Sequence, residues 1–551
     1  MPSFALLRAE LSTNPRTLLF LTAVSALSTT LILAVVNIAA EKAEAGGAGL
    51  RLALIFVIGI ALFAISQKVV TRLTATEVEG LVDRMRLKVV DGIRHSDMQR
   101  LDLIGRSTAF TALTLDCQTI SRSVPLIVVG AGQAVMLVCV SFYLAWLSLP
   151  AFGAITLFLA VAVWIHWQRI GELRFAMDRT QTDEMALFQG LGGMLRGLKE
   201  IRLHDLRAAQ VVEDLADVSR RTAAEKTRIK YRWAQEYAGI QLVFYAVVGM
   251  MVFVVPLLST GFHAEAVKAT TAALFMIGPI GAVVQAVPSI GDAERALSGL
   301  YALAQQLRQG TEELSESAEP LASPQEIDLS RMSYHYPEDK GASGFSVGPL
   351  DIRFRAGEIT FITGGNGSGK STLLRLLVGL VPASEGILSV NGEAVRHEQM
   401  QAYRDHISAI LADYHLFRRL YGIPPEAWEK AGPLLIRMGL ESKVTVQDGA
   451  FSTIALSAGQ RKRLALVVAE LEDKPVMIFD EWAADQDPHF RRLFYEEILP
   501  SYRARGKMVI CVTHDDRWFG VADRVLAMRE GHLSDESDLW GESLGQDTSH
   551  S

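Results

Sequence analysis

Uncharged apolar runs set the first half of the chain apart from the second. Six of them, at Thr17 to Ala40, Leu52 to Ser66, Val124 to Leu147, Pro150 to Gln168, Ala238 to Leu258 and Ala269 to Ile290, contain no Asp, Glu, Lys or Arg. A helix crosses a bilayer with about 20 apolar residues, whereas an amphipathic helix of a soluble domain carries charge on its outer face. The pattern therefore predicts six transmembrane helices. A cleaved signal peptide also fits the first run, which Arg8 and Arg16 precede, but its apolar stretch is longer than a signal core and five more runs follow.

Between the runs, polarity alternates. The stretches Val70 to Ser123 and Arg169 to Tyr237 are rich in Arg and Lys, the second ending in Lys226, Arg228, Lys230 and Arg232, while the opposite connections hold little more than Lys42 and Lys268. Basic loops stay on the cytoplasmic side, so both long stretches, the amino terminus and everything after Ile290 are expected there. Few Gly or Pro and recurring apolar residues such as Ile201, Leu203, Leu206 and Val211 predict that the membrane helices continue into the cytosol, and ordinary solvated helices fit as well. Asn37, Gln133, Tyr143, Gln241, Tyr245 and Gln285 lie within or at the ends of the runs, where lining a central cavity and bonding between helices fit equally. Trp164, His166 and Trp167 fit an interfacial aromatic belt.

After residue 308 the rhythm changes. Residues 309–325 read as a polar linker, 326–534 as a soluble α/β domain, and 535–551 as an acidic, Ser-rich disordered tail. Ile359 to Thr363, Val476 to Phe479 and Met508 to Val512 are short apolar runs of the kind buried parallel strands show. Composition narrows the function classes: 50% hydrophobic and 21% charged residues suit a membrane protein with a soluble part, and 54 basic against 61 acidic residues provide no basic field for a nucleic acid. Cys117, Cys139 and Cys511 are too few and scattered for a disulfide framework. No ionisable residue sits at mid-membrane to couple an ion gradient, so the energy source lies elsewhere.

Gly364-Gly365-Asn366-Gly367-Ser368-Gly369-Lys370-Ser371 supplies it. The run follows a strand-like segment and precedes the helical pattern Thr372 to Leu380, the context of a phosphate-binding loop. Glycines let N–H groups curl around phosphates, the helix amino terminus adds positive potential, Lys370 neutralises the β and γ phosphates, and Ser371 offers an oxygen to Mg²⁺. A second strand ends in Asp480-Glu481, one carboxylate to hold Mg²⁺ and its neighbour to polarise an attacking water. Leu456-Ser457-Ala458-Gly459-Gln460 lies between these motifs, and His514 ends the last strand run.

In that order the motifs resemble the ATP-binding cassette exporters, with Ala458 where the signature sequence usually has a second glycine. The resemblance implies a six-helix, all-α transmembrane domain of the type I exporter kind followed by an α/β P-loop NTPase domain, using ATP and Mg²⁺. It further implies that Ser457 and Gly459 approach the γ-phosphate bound by the opposite subunit, so that a half-sized chain forms a homodimer. Tyr336, 28 residues before Gly364, matches the adenine-stacking aromatic, although a buried strand tyrosine fits the same position. Thr372 continues the phosphate-loop match, His514 matches the switch histidine, and Asp487 the aspartate of the loop after the catalytic carboxylate. Asp97 to Gly105 and Asp205 to Val212 resemble coupling helices, the second resting on the partner's nucleotide domain.

Two departures accompany the resemblance. Ala412 stands where the family has a glutamine that senses the metal and water, leaving altered sensing or substitution by Asp413, and the stretch from there to Leu456 implies a trimmed helical subdomain. With the run Asp480 to Pro488 and His514-Asp515-Asp516, these features look like the subgroup that exports cyclic peptides, including siderophores and lipopeptides, across the inner membrane of Gram-negative bacteria. That implies a peptidic or other amphiphilic substrate, lipid contacts and a cytoplasmic ATP-binding domain. A lipid or multidrug exporter shares every motif, and a non-hydrolysing ATP-gated regulator would explain the missing glutamine.

Overall fold

The computed structural model describes residues 15–44, 49–253, 263–308, 320–336 and 345–537. The chain forms two compact units, Met1–Arg94 with Ile104–Gln309, and His95–Leu103 with Gly310–Ser551. The second thus takes in Asp97 to Leu103 of the first coupling-like segment.

The first unit is helical: α1 (Pro15–Glu44), α2 (Leu50–His95), α3 (Met98–Ile104, which enters the second unit), α4 (Arg106–Thr111), α5 (Cys117–Leu147), α6 (Leu149–Arg196), α7 (Leu198–Arg202), α8 (Asp205–Phe253), α9 (His263–Phe275) and α10 (Ile277–Arg308). Among the described residues, four stretches are long and apolar enough to cross a membrane: Arg16–Lys42, Leu50–His95, Ser107–Leu147 and Lys268–Arg308. The other two expected spans lie on α6 and α8, which run far past their apolar segments; Val254 to Leu258 falls outside the described residues, as do the side chains of His166 and Trp167. Trp164 is exposed. The sixth run is divided at Met276, where α9 gives way to α10.

Helix α2 shows how one helix serves two environments. From Leu52 to Ser66 it is apolar all round, while further along Val70, Thr74, Val78, Leu81, Val82, Met85 and Val89 are buried at helical spacing, giving a single packed stripe. Helix α5 packs against α10 and α1, and α6 against α8. A Cβ on Gly130 would stand 2.3 Å from the Ala286 Cβ, so only glycine lets α5 approach α10 this closely. The Asn37 amide donates to the Tyr143 hydroxyl at 3.2 Å and the Gln241 amide to the Tyr237 hydroxyl at 2.9 Å, so these two polar residues bond to other side chains. The helical reading around Ile201 holds except at Leu203 and His204, where α7 has ended at Arg202 and α8 has yet to start at Asp205; Leu203 and Leu206 are exposed.

In the second unit the strands are β1 (Glu326–His335), β2 (Ser346–Arg355), β3 (Ile359–Thr363), β4 (Glu385–Val390), β5 (Glu393–Ala394), β6 (Ile407–Ile410), β7 (Val446–Gln447), β8 (Ala450–Phe451), β9 (Val476–Asp480), β10 (Met508–Val512), β11 (Arg524–Arg529) and β12 (His532–Asp535). The larger sheet has the order β12-β11-β3-β10-β9-β6, with β10 parallel to both β3 and β9. Those three strands match the three apolar runs and are buried on both faces. Alternation divides them between two cores: Phe361, Phe479 and Cys511 face one with Trp482, Tyr495 and Tyr502, while Ile362, Ile478 and Ile510 face the other with Leu373 and Leu374. Full burial of each such side chain stabilises the fold by roughly 1.5–3 kcal/mol. A separate antiparallel sheet, β2-β1-β4-β5, stands beside it. Strand β12 ends at Asp535, one residue beyond the expected boundary, and the rest of the expected tail after Ser537 lies outside the described residues.

Candidate active site

Because β10 lies between β3 and β9, the carboxyl ends of three parallel strands open side by side, the position where ligands bind in open α/β sheets. Beyond β3, the loop Gly364 to Gly369 turns into helix α11 (Lys370–Leu377), which starts and ends slightly earlier than its sequence pattern suggested. Gly364 and Gly369 have φ of 144° and 107°, and a Cβ on Gly364 would stand 2.2 Å from the Met528 carbonyl oxygen. By contrast, a Cβ on Gly365 or Gly367 would meet nothing within 4 Å. The loop is thus packed underneath and open above, with Asn366 exposed at its crest.

Lys370 is buried, and its ammonium donates to the carbonyls of Gly364 at 2.7 Å and Gly365 at 3.0 Å. The buried Ser368 hydroxyl has no partner in the loop. A cradle of backbone N–H groups holding a cation and an unused hydroxyl fits a polyphosphate. Ser371 lies exposed in the first helical turn. The Tyr336 hydroxyl bonds to the Thr372 hydroxyl at 2.8 Å, and its ring meets Tyr334 edge-on at 4.9 Å. Tyr336 therefore stands half-exposed beside the loop rather than buried in β1.

At the end of β9, burial pushes the Asp480 carboxyl above the usual carboxylate range, with the Ala412 N–H, at 3.4 Å, pulling it back. This carboxylate faces the charge of Lys370 and has capacity for further ligands, which suits a hard cation such as Mg²⁺. Glu481 follows with φ of 49°, a conformation unfavourable for a residue with a side chain. Its N–H donates to the Val512 carbonyl at 3.1 Å and its carbonyl accepts from Lys462 at 2.7 Å, so both neighbours hold the turn. The side chain points instead to His514, 3.1 Å from Oε1 to Nε2, and both groups are partly exposed.

His514 is held from beneath. Thr513 bonds to the Tyr495 hydroxyl at 2.7 Å and accepts from the Asp515 N–H, while Arg517 chelates Asp515 at 2.8 and 2.9 Å. The Arg517 hydrogen bonds keep the Asp515 carboxyl below its usual range.

The structure gathers the loop, Lys370, Asp480, Glu481 and His514, but the signature residues form a separate group. Ser457 caps helix α14 (α12 being Pro425–Trp428 and α13 Ala431–Arg437; α14 is Ala458–Glu472) in a reciprocal box with Gln460, at 3.3 and 3.4 Å. Gly459 accepts from the Gln486 amide, and a Cβ there would lie 2.8 Å from the Asp485 carbonyl oxygen. Ser457 and Ala458 are exposed. Asp487 caps the next short helix, accepting from the N–H groups of His489 and Phe490 at 3.1 Å. Asp413 pairs with Arg375 at 3.7 Å. Helices α12 and α13 are the only helical turns described between Ala412 and Ser457.

Sequence reasoning missed Lys462. Buried in α14, it bridges the Glu481 carbonyl and the Asp485 carboxylate at 2.8 Å, while its own carbonyl accepts from the Trp482 indole. A lysine among the buried Leu464, Ala465 and Leu466 was the available signal.

Comparison with known proteins gives this geometry its context. Residues 347–484 match the family model described as "ABC transporter". The chain is 33% identical over 469 residues to "ATP-binding protein SyrD" of Pseudomonas syringae pv. syringae, covering 82% of each chain. It is 27% identical over 369 residues, 62% of each, to a "Probable ABC transporter ATP-binding/permease protein" of Haemophilus influenzae. Its fold matches the solved structure of a bacterial Atm1-family ABC exporter with ATP bound, with a TM-score of 0.76, 16% identity and 99% of each chain covered. The chain belongs to the ABC transporter family, as a multi-pass membrane half-transporter whose ATP-binding domain hydrolyses ATP to drive transport.

Proposed function

We propose that the protein works as a homodimer and exports a cyclic or otherwise modified peptide across the bacterial inner membrane. The observation carrying the motor is the convergence of Lys370, Asp480 and the Glu481–His514 pair at one edge of a parallel sheet. In this reading the loop N–H groups and Lys370 bind the phosphates, with Tyr336 against the adenine. Lys370 exchanges its two carbonyl bonds for phosphate oxygens. Glu481 accepts the proton of the attacking water, and His514 donates to the γ-phosphate, offsetting the charge that grows there. Ser371 and Asp480 would hold Mg²⁺, which neutralises phosphate charge when bound.

Dimerisation supplies what one chain lacks. The exposed amino terminus of α14, with Ser457, Ala458, Gly459 and Gln460, is shaped for an anion, and in the dimer it faces the nucleotide of the other chain, with Asp487 alongside. Exposed Leu195, Leu198, Leu203 and Leu206 ask for a cover. The nucleotide unit has an aromatic groove of its own, of about 230 Å³, lined by Tyr414, His415, Phe417 and Tyr421. Six spans, with both long basic stretches and the nucleotide unit in the cytoplasm, complete the arrangement.

Peptide export rests on the trimmed α12–α13 region, on Ala412 and on the sequence around Asp480 and His514. Mass spectrometry of medium and cells carrying the native protein or Glu481→Gln tests it. Loss of one modified peptide from the medium with accumulation inside is expected; an unchanged peptide profile with altered lipids or drugs would replace the substrate class.

A further inference from the structure

The membrane unit contains a cavity of about 540 Å³ between α1, α2, α5 and the α9–α10 junction. That volume is in the range of small-molecule sites. None of its lining side chains is charged, yet it is not uniformly apolar. Thr22, Ser25, Gln67, Thr71 and Thr74 gather toward one end, where the Ser25 hydroxyl donates to the Gln67 amide oxygen at 3.4 Å. Phe63, Val70, Met136, Phe275 and Pro279 supply hydrocarbon to the rest, interrupted by Thr29 and Gln133.

Thr74 supplies the observation that points to a ligand. It is 6% exposed, and its hydroxyl has no hydrogen-bond partner. A helical serine or threonine in such a place ordinarily bonds to the carbonyl four residues earlier, as Ser28, Thr29 and Thr30 do on α1. Thr74 does not, and an unpaired hydroxyl in an uncharged wall costs free energy that a bound acceptor or donor recovers. In the reading that puts the amino terminus in the cytoplasm, Thr71 and Thr74, which follow the second apolar run, stand toward the cytosolic leaflet.

We propose that this cavity takes the acyl arm of the exported amphiphile, with an uncharged amide or hydroxyl at the base of that arm bonded to Thr74 and its neighbours. The inference rests on the export reading above and names the substrate class for it. A bilayer phospholipid offers hydrocarbon too, but its charged headgroup finds no counter-charge in this wall.

The test uses the full-length protein in phosphatidylcholine nanodiscs and radiolabelled N-dodecanoyl-glycinamide, with binding measured above empty nanodiscs. The native protein is expected to bind it saturably. Thr74→Val, close in shape, is expected to weaken binding about tenfold and Thr74→Ser to restore it, the difference of one hydrogen bond. Gly132 lines the same wall, where a Cβ would make only ordinary contact with the Thr22 methyl at 3.8 Å. The larger Gly132→Leu is expected to remove binding by filling the space. Native binding no greater than in empty nanodiscs, or equal binding by native and Thr74→Val, would overturn the proposal. So would a co-purifying phospholipid that the probe cannot displace, since the cavity would then hold a resident lipid. Loss of the probe signal while ATP hydrolysis remains sensitive to Glu481→Gln removes this inference and leaves the transport reading standing.

Discussion

The nucleotide unit and the membrane unit solve opposite problems. In the first, the groups proposed to act on phosphate are fixed by backbone: the Glu481 turn is held by Val512 on one side and Lys462 on the other, and Lys370 is tied to two loop carbonyls. In the second, helices are brought together by small residues such as Gly130, and the cavity wall holds hydroxyls, an amide and hydrocarbon without a charge. Phosphoryl chemistry needs atoms within a fraction of an ångström, so it requires particular residues at particular spacings. Recognition of a greasy substrate requires volume and a few polar contacts, which many sequences supply.

If that contrast is right, single-atom changes injure the motor while volume changes injure the membrane unit. The largest effect is expected from Glu481→Gln, which keeps shape but removes the proposed proton acceptor: ATP turnover should fall by about 10²–10⁴-fold with ATP binding retained. Phosphate release and nucleotide binding, measured on the same preparation, check it. Next comes Gly130→Leu, whose side chain would collide with Ala286; it should reduce folded protein and lower the unfolding temperature through an overpacking cost of about 1–3 kcal/mol. Thermal unfolding in detergent reads this out. Lys462→Met keeps the buried stem and loses the ammonium, which frees the Glu481 carbonyl and Asp485. A fall in kcat of about tenfold with little change in KM is expected, matching a group that positions rather than binds and a hydrogen bond worth about 1 kcal/mol. Steady-state kinetics against ATP decides it. The smallest effect is expected from Ala412→Gln. Because it is the Ala412 backbone N–H that reaches Asp480, and Asp413 is drawn to Arg375, turnover should change by less than about threefold across a Mg²⁺ titration.

How much of this was legible in the chain follows the same division. The three apolar runs became β3, β9 and β10, and the phosphate-loop, Asp480-Glu481 and His514 motifs converge because adjacent parallel strands end together. The antiparallel β2-β1-β4-β5 sheet was not foreseen, since strands with one partly solvated face give weaker runs than buried ones. Lys462 stands out locally as a lysine in an apolar stretch, but its role escaped because its partners, a backbone carbonyl and a carboxylate more than 18 residues away, are brought to it only by the fold. Ile201, Leu203 and Leu206 suggested helix running on into the cytosol, but the helix breaks at Leu203 and His204, a turn that their apolar character does not mark. Among the polar residues of the apolar runs, Gln133 lines the cavity and Asn37 bonds between helices, a distinction that depends on helix rotation. Thr74 lies beyond its apolar run, so nothing in composition marks it.

The central claim is that hydrolysis centred on Glu481 drives outward transport. The most direct measurement is ATP-dependent uptake into inside-out vesicles, with the peptide identified from the medium as the cargo and the native protein compared with Glu481→Gln. The account predicts accumulation that requires ATP in native vesicles and vanishes, together with phosphate release, in the variant. Equal uptake by both, or uptake without ATP, would contradict it.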